Sequence, residues 1–212
     1  MPGELKDSKP PTSHSPHGEL TGVILAGGKS RRYGRNKALV QLDGMALIER
    51  VLTVMQSLFQ QIVLITNTPE AYAYLNLPMH EDIIKDLGPL GGIYTALRSI
   101  RTEAGFVVAC DMPLVGGELL DHLLAGRDRA APATALVNPA TGRLEPLLAI
   151  YEPSALRGLR HALDAQERSL TDWLEAVGAR PLTAPRELAG QLANVNIPEE
   201  LDAIRRRLDG KV

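Results

Sequence analysis

Residues 21–28 read TGVILAGG. Thr21 to Ala26 is a short apolar run ended by Gly27 and Gly28, the pattern of a buried strand that runs into a turn. Downstream, Ala38 to Leu42 is a smaller apolar piece closing at Asp43-Gly44, and Leu47, Ile48, Val51, Leu52 and Met55 then recur at helical spacing. Gln61 to Thr66 (QIVLIT) predicts the next buried strand. Pro69 to Leu75 predicts a short helix, Met79 to Asp82 an extended stretch, and Gly88-Pro89-Leu90-Gly91-Gly92 a glycine turn before a helix over about Ile93 to Ile100. Gly105 to Cys110 (GFVVAC) is another continuous apolar strand, with Asp111-Met112-Pro113 directly beyond its carboxyl end. Strands apolar on both faces and alternating with helices predict a three-layer, Rossmann-like α/β fold, a mainly parallel sheet with helices on both sides. Such sheets bind ligands at the carboxyl ends of their strands.

The pattern loosens after Leu123. Ala133 to Asn138 and Pro146 to Tyr151 flank Thr141-Gly142-Arg143 like two arms of a β-excursion, and helices are expected at Ser154 to Ala165, Leu170 to Val177 and Pro198 to Leu208, the last with proline in its first turn. No internal repeat or strong linker interrupts the chain, so residues 19–212 read as one domain. Residues 1–18, rich in Pro, Ser, His and charge and without the apolar core of a secretory signal, read as a disordered tail. His14 and His17 in that tail make a poor metal site, because nothing there fixes their geometry.

The 212 residues are 44% hydrophobic, enough for a sizeable core. The formal charge is −2 and the pI about 6.2, so no global basic field recruits nucleic acid or an anionic membrane surface. The single cysteine, Cys110, excludes an intramolecular disulfide and a multi-cysteine metal cluster and suggests a reducing compartment, here the cytoplasm. No apolar run approaches the roughly 20 residues that span a bilayer.

Anion-binding power is therefore local, and GGKSRRYGRNK, residues 27–37, concentrates it. Lys29, Arg31, Arg32, Arg35 and Lys37 occur there with no acidic residue. Glycines let backbone amides approach a ligand, and arginine and lysine add charge-assisted bonds to phosphate oxygens. A polyphosphate is the natural ligand; a solvated basic loop is the plainer reading. The loop is not a P-loop, because Gly34 is followed by Arg35 rather than Lys-Ser/Thr, and there is no GxGxxG.

The stretch LAGG-x-S-x-R-x-x-G-x-x-K, here Leu25-Ala26-Gly27-Gly28, Ser30, Arg32, Gly34 and Lys37, resembles the signature of the molybdenum cofactor guanylyltransferases. Tyr33 stands where methionine is usual, and Asn36 where an aspartate often precedes the lysine. The resemblance implies a fold like that of the nucleotide-diphospho-sugar transferases. It implies nucleotide contacts from Leu25, Ala26, Gly27 and Gly28, with Lys37 on the phosphates and Arg32 beside them as catalytic cations. VVACDMP matches the family's strand-end D-x-P, which implies that Asp111 is catalytic, touches the nucleotide and holds Mg²⁺. One aspartate is adequate for Mg²⁺, which leaves most of its positions to water and phosphate. Read locally, Asp111 caps the helix beginning near Gly117 or occupies a turn.

Asp82 precedes the glycine loop at family-like spacing and would contact the nucleotide, although a surface turn also explains it. Asn194-Val195-Asn196-Ile197-Pro198-Glu199-Glu200-Leu201 resembles the closing N-x-N-T-P-E-E-L motif, with Ile197 for threonine. Asn194 and Asn196 are thereby substrate-binding candidates, while locally Asn196 or Ile197 introduces a helix. Arg143 and Glu145 lie where the family builds its pterin side, but a turn salt bridge serves equally. Trp173 with Leu170 and Leu174 reads as helix packing rather than a pterin platform, Cys110 as a buried small residue, and His80, His122 and His161 show no metal spacing.

The resemblance covers about Gly22 to Leu201 and implies GTP and molybdopterin as substrates and molybdoenzymes and other cofactor-biosynthesis proteins as partners. The reaction would be in-line attack of a molybdopterin phosphate oxygen on the α-phosphorus of GTP. A transferase using CTP, a sugar-phosphate nucleotidyltransferase and a non-catalytic nucleotide carrier are the alternatives. Gly27-Gly28, where the cytidylyl relatives tend to have Ala-Gly, leans toward guanine; Lys37 with Asp111 leans toward catalysis.

Overall fold

The computed structural model describes residues 18–27, 36–208 and 210. The tail with His14 and His17, and the loop positions Gly28 and Arg32, lie outside them. In chain order the elements are strand β1 (Leu20–Leu25), the hairpin β2 (Gln41–Leu42) and β3 (Met45–Ala46), helix α1 (Leu47–Leu58), β4 (Gln61–Ile65), β5 (Met79–His80), α2 (Pro89–Ser99), β6 (Ala104–Ala109) and α3 (Gly117–Ala125). The second half adds β7 (Ala133–Val137), β8 (Leu144–Tyr151), α4 (Ala155–Asp164), α5 (Leu170–Ala176), β9 (Arg180–Thr183) and α6 (Pro198–Leu208).

Seven strands form one sheet in the order β5-β4-β1-β6-β8-β7-β9. β1 is parallel to both neighbours, with Val23 opposite Val63 on one side and Val107 on the other; β8 alone runs against the rest. All residues of β1 and β6 are buried, which is why they read as unbroken apolar runs. Alternation splits them between two cores. Ile24, Phe106 and Val108 join α1 and α3 on one face, while Val23, Leu25 and Val107 join α2, α4 and α5 on the other. The three-layer α/β architecture is as expected.

Local chemistry sets the boundaries. Asp43 and Gly44 both take positive φ (52° and 80°), as a two-residue hairpin turn requires. Glu49 reaches back to accept the Ala46 N–H at 2.7 Å and opens α1, whose buried stripe is Leu47, Ile48, Val51, Leu52, Met55 and Leu58.

Three expectations need correction. The glycine turn ends at Gly88; helix α2 begins at Pro89, not Ile93, because proline suits the first helical turn and the two following glycines serve close packing rather than chain reversal. A Cβ on Gly91 would sit 2.7 Å from the Ile84 carbonyl oxygen. The supposed β-excursion is part of the main sheet: β8 pairs with β6 and β7 with β8, and the register shifts after Ala135. Finally, β9 and the 3₁₀ turn Arg186–Leu192 were not expected, since RPLT carries a proline and is mostly exposed at a sheet edge.

A third, small core joins Val40, Leu42 and Leu47 to Val195, Leu201 and Ile204. It seats α6 against the hairpin that follows Lys37, and so brings the end of the chain to its beginning.

Candidate active site

Strand order reverses between β1 and β6, where a doubly wound sheet opens a crevice beyond its carboxyl ends. The backbone is stitched there: the Cys110 N–H donates to the Leu25 carbonyl at 3.1 Å and the Ala26 N–H to the Ile65 carbonyl at 2.9 Å. Ala26 is buried, while Gly27 is exposed with open space on its Cβ side.

Lys37 opens a 3₁₀ turn, Lys37–Leu39, held by the residue before it. Asn36 Oδ1 accepts the Ala38 N–H at 3.1 Å and Asn36 Nδ2 donates to the Tyr72 hydroxyl at 2.9 Å. Tyr72 is buried, which pushes its phenol up to about 12 and keeps it neutral. The departure to asparagine thus retains the cap and adds a donor that an ionised aspartate lacks.

From this turn the Lys37 ammonium forms an ion pair with Asp111 Oδ2 and donates to Asn196 Oδ1 at 3.0 Å. The Lys37 and Asp111 side chains are only 16% and 17% exposed. Asp111 does not cap α3, whose N-cap is Gly116. Instead its carbonyl accepts the Val195 N–H at 2.9 Å, which docks the Asn194–Asn196 segment on the tip of β6. The Glu200 carboxylate accepts the N–H groups of Asn196 and Ile197, so Asn196 both presents its side chain to Lys37 and leads into α6. Asn194 Oδ1 is buried without a hydrogen-bond partner among the described residues.

Asp82 follows β5, on the same sheet edge but with β4 and β1 between it and β6. Asn67 Nδ2 donates to Asp82 Oδ2 at 2.7 Å, and Asn67 Oδ1 accepts the Asp82 N–H at 3.1 Å. Burial raises the Asp82 carboxyl above its ordinary value; the bond from Asn67 and the charge of Lys85 oppose that. Glu145, at the start of β8, is likewise raised by burial and eased only by Asn138 Nδ2 at 3.1 Å. Among the described residues no ion pair joins it to Arg143. Both line an open cleft of about 700 Å³ between the β7–β8 hairpin and α5.

Lys37, Asp111 and Asn196 therefore meet; Leu25, Ala26 and Gly27 lie beside them, Asp82 stands apart on the same edge, and Asn194 touches neither Lys37 nor Asp111 through a side-chain hydrogen bond. Trp173 is core, stacked on Tyr151 at 6.3 Å, and burial pushes the Cys110 thiol up to about 12, as an inert packed residue requires. Asn67 and Tyr72 were missed. Asn67 follows a strand adjacent to β1, and that position was the available signal.

A family model, the MobA-like NTP transferase domain, matches residues 22–181. The chain belongs to this family. This MobA-like NTP transferase has relatives that match it along most of its length. It is 36% identical to a probable molybdenum cofactor guanylyltransferase of Carboxydothermus hydrogenoformans, covering 87% of this chain and 94% of the relative. A protein of the same description from Flavobacterium johnsoniae is 34% identical, over 89% of this chain and 98% of its own. The crystal structure of molybdopterin-guanine dinucleotide biosynthesis protein A from Archaeoglobus fulgidus superposes with a TM-score of 0.76 at 28% identity, covering 91% of this chain and all of that one (100%). The chain is thus a nucleotidyltransferase, and its family match spans β1 through the start of β9, including Lys37, Asp82 and Asp111.

Among the described residues no group of three or more His, Cys, Asp or Glu could hold a metal by itself. A carboxylate and an amide oxygen converging on one cation, Lys37, are nevertheless hard donors that suit Mg²⁺ arriving with phosphate oxygens.

Proposed function

We propose that this nucleotidyltransferase moves the GMP part of GTP to the phosphate of molybdopterin, giving the guanine dinucleotide cofactor and pyrophosphate. The observation that carries the reading is the meeting of Lys37 and Asp111 at the switch between β1 and β6, in a chain whose relatives are described as guanylyltransferases. Residues 19–212 act as one unit, in the cytoplasm, supplying molybdoenzymes and other proteins of cofactor assembly. No helix among the described residues is long and apolar enough to cross a membrane.

A phosphate oxygen of the acceptor attacks the α-phosphorus in line, its bond forms as the bridge to the β-phosphate breaks, and pyrophosphate carries the electron pair away. The attacking group is already an anion, so no general base is needed. The barrier is repulsion between anions, and preorganised positive charge lowers it. Lys37 supplies that charge to the phosphates and Arg32 adds to it; the backbone at Leu25, Ala26, Gly27 and Gly28 contacts the nucleotide. Asp82, presented by Asn67, binds the nucleotide at the far end of the edge, and Asn194 and Asn196 face the acceptor. Asp111 holds Mg²⁺, which when bound neutralises triphosphate charge.

Purified protein with Mg²⁺ and molybdopterin is expected to release pyrophosphate from GTP in preference to CTP or ATP. Lys37→Ala and Asp111→Ala should each slow release by about 100-fold or more, the scale on which a preorganised charge acts, with thermal unfolding still cooperative. Near-normal rates in both variants would refute the assignment.

A further inference from the structure

Lys37 is not simply poised toward solvent. Its ammonium lies against Asp111 Oδ2, from the tip of β6, and Asn196 Oδ1, from the segment before α6. Two hard oxygens from elements far apart in sequence thus converge on one cation, which is the donor geometry a small metal ion also seeks. Lys37 and Asp111 are sheltered although Asn196 is exposed, so the ion pair is weakly screened and a second cation beside the same carboxylate meets repulsion.

The two ends of Lys37 differ in freedom. Its backbone is pinned by the Asn36 cap and, through Asn36, by Tyr72. Its stem has four rotatable carbons and can swing the ammonium from one set of oxygens to another without moving the turn. Asp111 and Asn196 have pinned backbones, the first through the Val195 bond just past β6 and the second through Glu200, and their side chains are far shorter than that of lysine. A cation on a long movable stem held by oxygens on short side chains is an exchangeable counter-ion.

We infer that Lys37 competes with a divalent ion for Asp111, so that the site takes the metal together with a polyphosphate, which draws the ammonium onto its own oxygens, and takes the free ion poorly. The inference rests on the nucleotidyl-transfer reading for its ligand class, a metal–triphosphate complex, but not on which base or acceptor is used. Metal and nucleotide binding are then coupled through one side chain.

Direct binding tests this without turnover. Mn²⁺ titrated into the full chain, with free ion read by electron paramagnetic resonance, is expected to bind weakly to the wild type. Lys37→Met, which keeps the stem and removes the charge, should bind Mn²⁺ alone at least about tenfold more tightly, and Lys37→Gln should do the same should the methionine variant fold poorly. Adding Asp111→Asn to either must abolish the gain. Wild type should favour the preformed Mn²⁺ complex of a non-cleavable α,β-methylene GTP over Mn²⁺ alone by at least about tenfold, and Lys37→Met should narrow that gap. Unchanged Mn²⁺ affinity on removing Lys37, or a gain that survives Asp111→Asn, overturns the inference. Should the pyrophosphate assay instead favour another nucleotide, the guanylyl assignment fails while the Mn²⁺ result stands.

Discussion

Arg127 and Lys37 sit at opposite edges of one sheet and meet their carboxylates in different ways. Arg127, before β7, is 7% exposed and grips Glu152, after β8, with two bonds of 2.7 and 2.9 Å. Glu19 and Glu103, entering β1 and β6, lie 3.8 Å from its remaining nitrogen and are bonded in turn by Arg129 at 2.9 and 2.5 Å. Charge at the amino-terminal edge is paired within the fold, chiefly by the forked Arg127–Glu152 contact, although Arg127 Nη1 is buried with no hydrogen bond among the described residues. At the carboxyl-terminal edge Asp111 has a movable lysine, and Asp82 and Glu145 are carboxyls raised by burial with an amide donor each. One edge pairs its charges within the fold; at the other, in the function proposed above, a ligand completes them.

Breaking the closed edge should cost the most stability. Glu152→Ala strands the Arg127 guanidinium in a buried position, and urea unfolding should show a loss of about 3–5 kcal/mol, the usual result of removing one partner of a buried pair, with GTP affinity of the folded protein unchanged. Glu152→Ala unfolding like wild type would mean that the cluster is ornamental. Gly91→Ala, at the ligand edge, should cost about 1–3 kcal/mol as overpacking against a backbone carbonyl, and because Gly92 and Asp82 share that packing, nucleotide affinity measured by calorimetry should fall as well.

The smallest stability effect, opposite in sign, belongs to Asp82→Asn. A carboxyl raised by burial stabilises the fold most below its unfolded value, 3.8 for Asp82 and 4.5 for Glu145, and that contribution is lost as pH rises through the raised folded value. At neutral pH Asp82→Asn should therefore melt at or slightly above the wild-type temperature, and the decline in stability as pH rises from 3.8 should flatten, while nucleotide binding weakens. A variant that melts lower and binds nucleotide normally would mark Asp82 as structural.

How much of this was legible depended on what each residue's environment demands. TGVILA and GFVVAC announce strands because both faces of each are buried, and Asp111 announces the site because a carboxylate directly past such a strand must emerge at the ligand edge. The hairpin at Asp43-Gly44 and helix α6 at Pro198 carry their own signals. RPLT hides β9, since an exposed edge strand has no reason to be apolar. The pairing of Lys37 with Asn196 spans 159 positions; resemblance to a known family marked Asn196 only as a substrate-binding candidate, because no local rule says which distant amide a lysine will find. Asn67 and Tyr72 were opaque for the same reason: their roles come from partners that the topology supplies. The phosphate-side candidates Gly28 and Arg32 fall outside the described residues.

The small core that seats α6 against the β2–β3 hairpin makes that helix a keystone for a proposed centre whose lysine lies 159 positions before Asn196. The whole sheet is specified by Thr183, yet Asn196 acquires its place only when Leu201 and Ile204 pack beneath Val40 and Leu42. The strands of the sheet therefore do not by themselves assemble the proposed centre: the amide that meets Lys37 is held there by a helix outside the sheet.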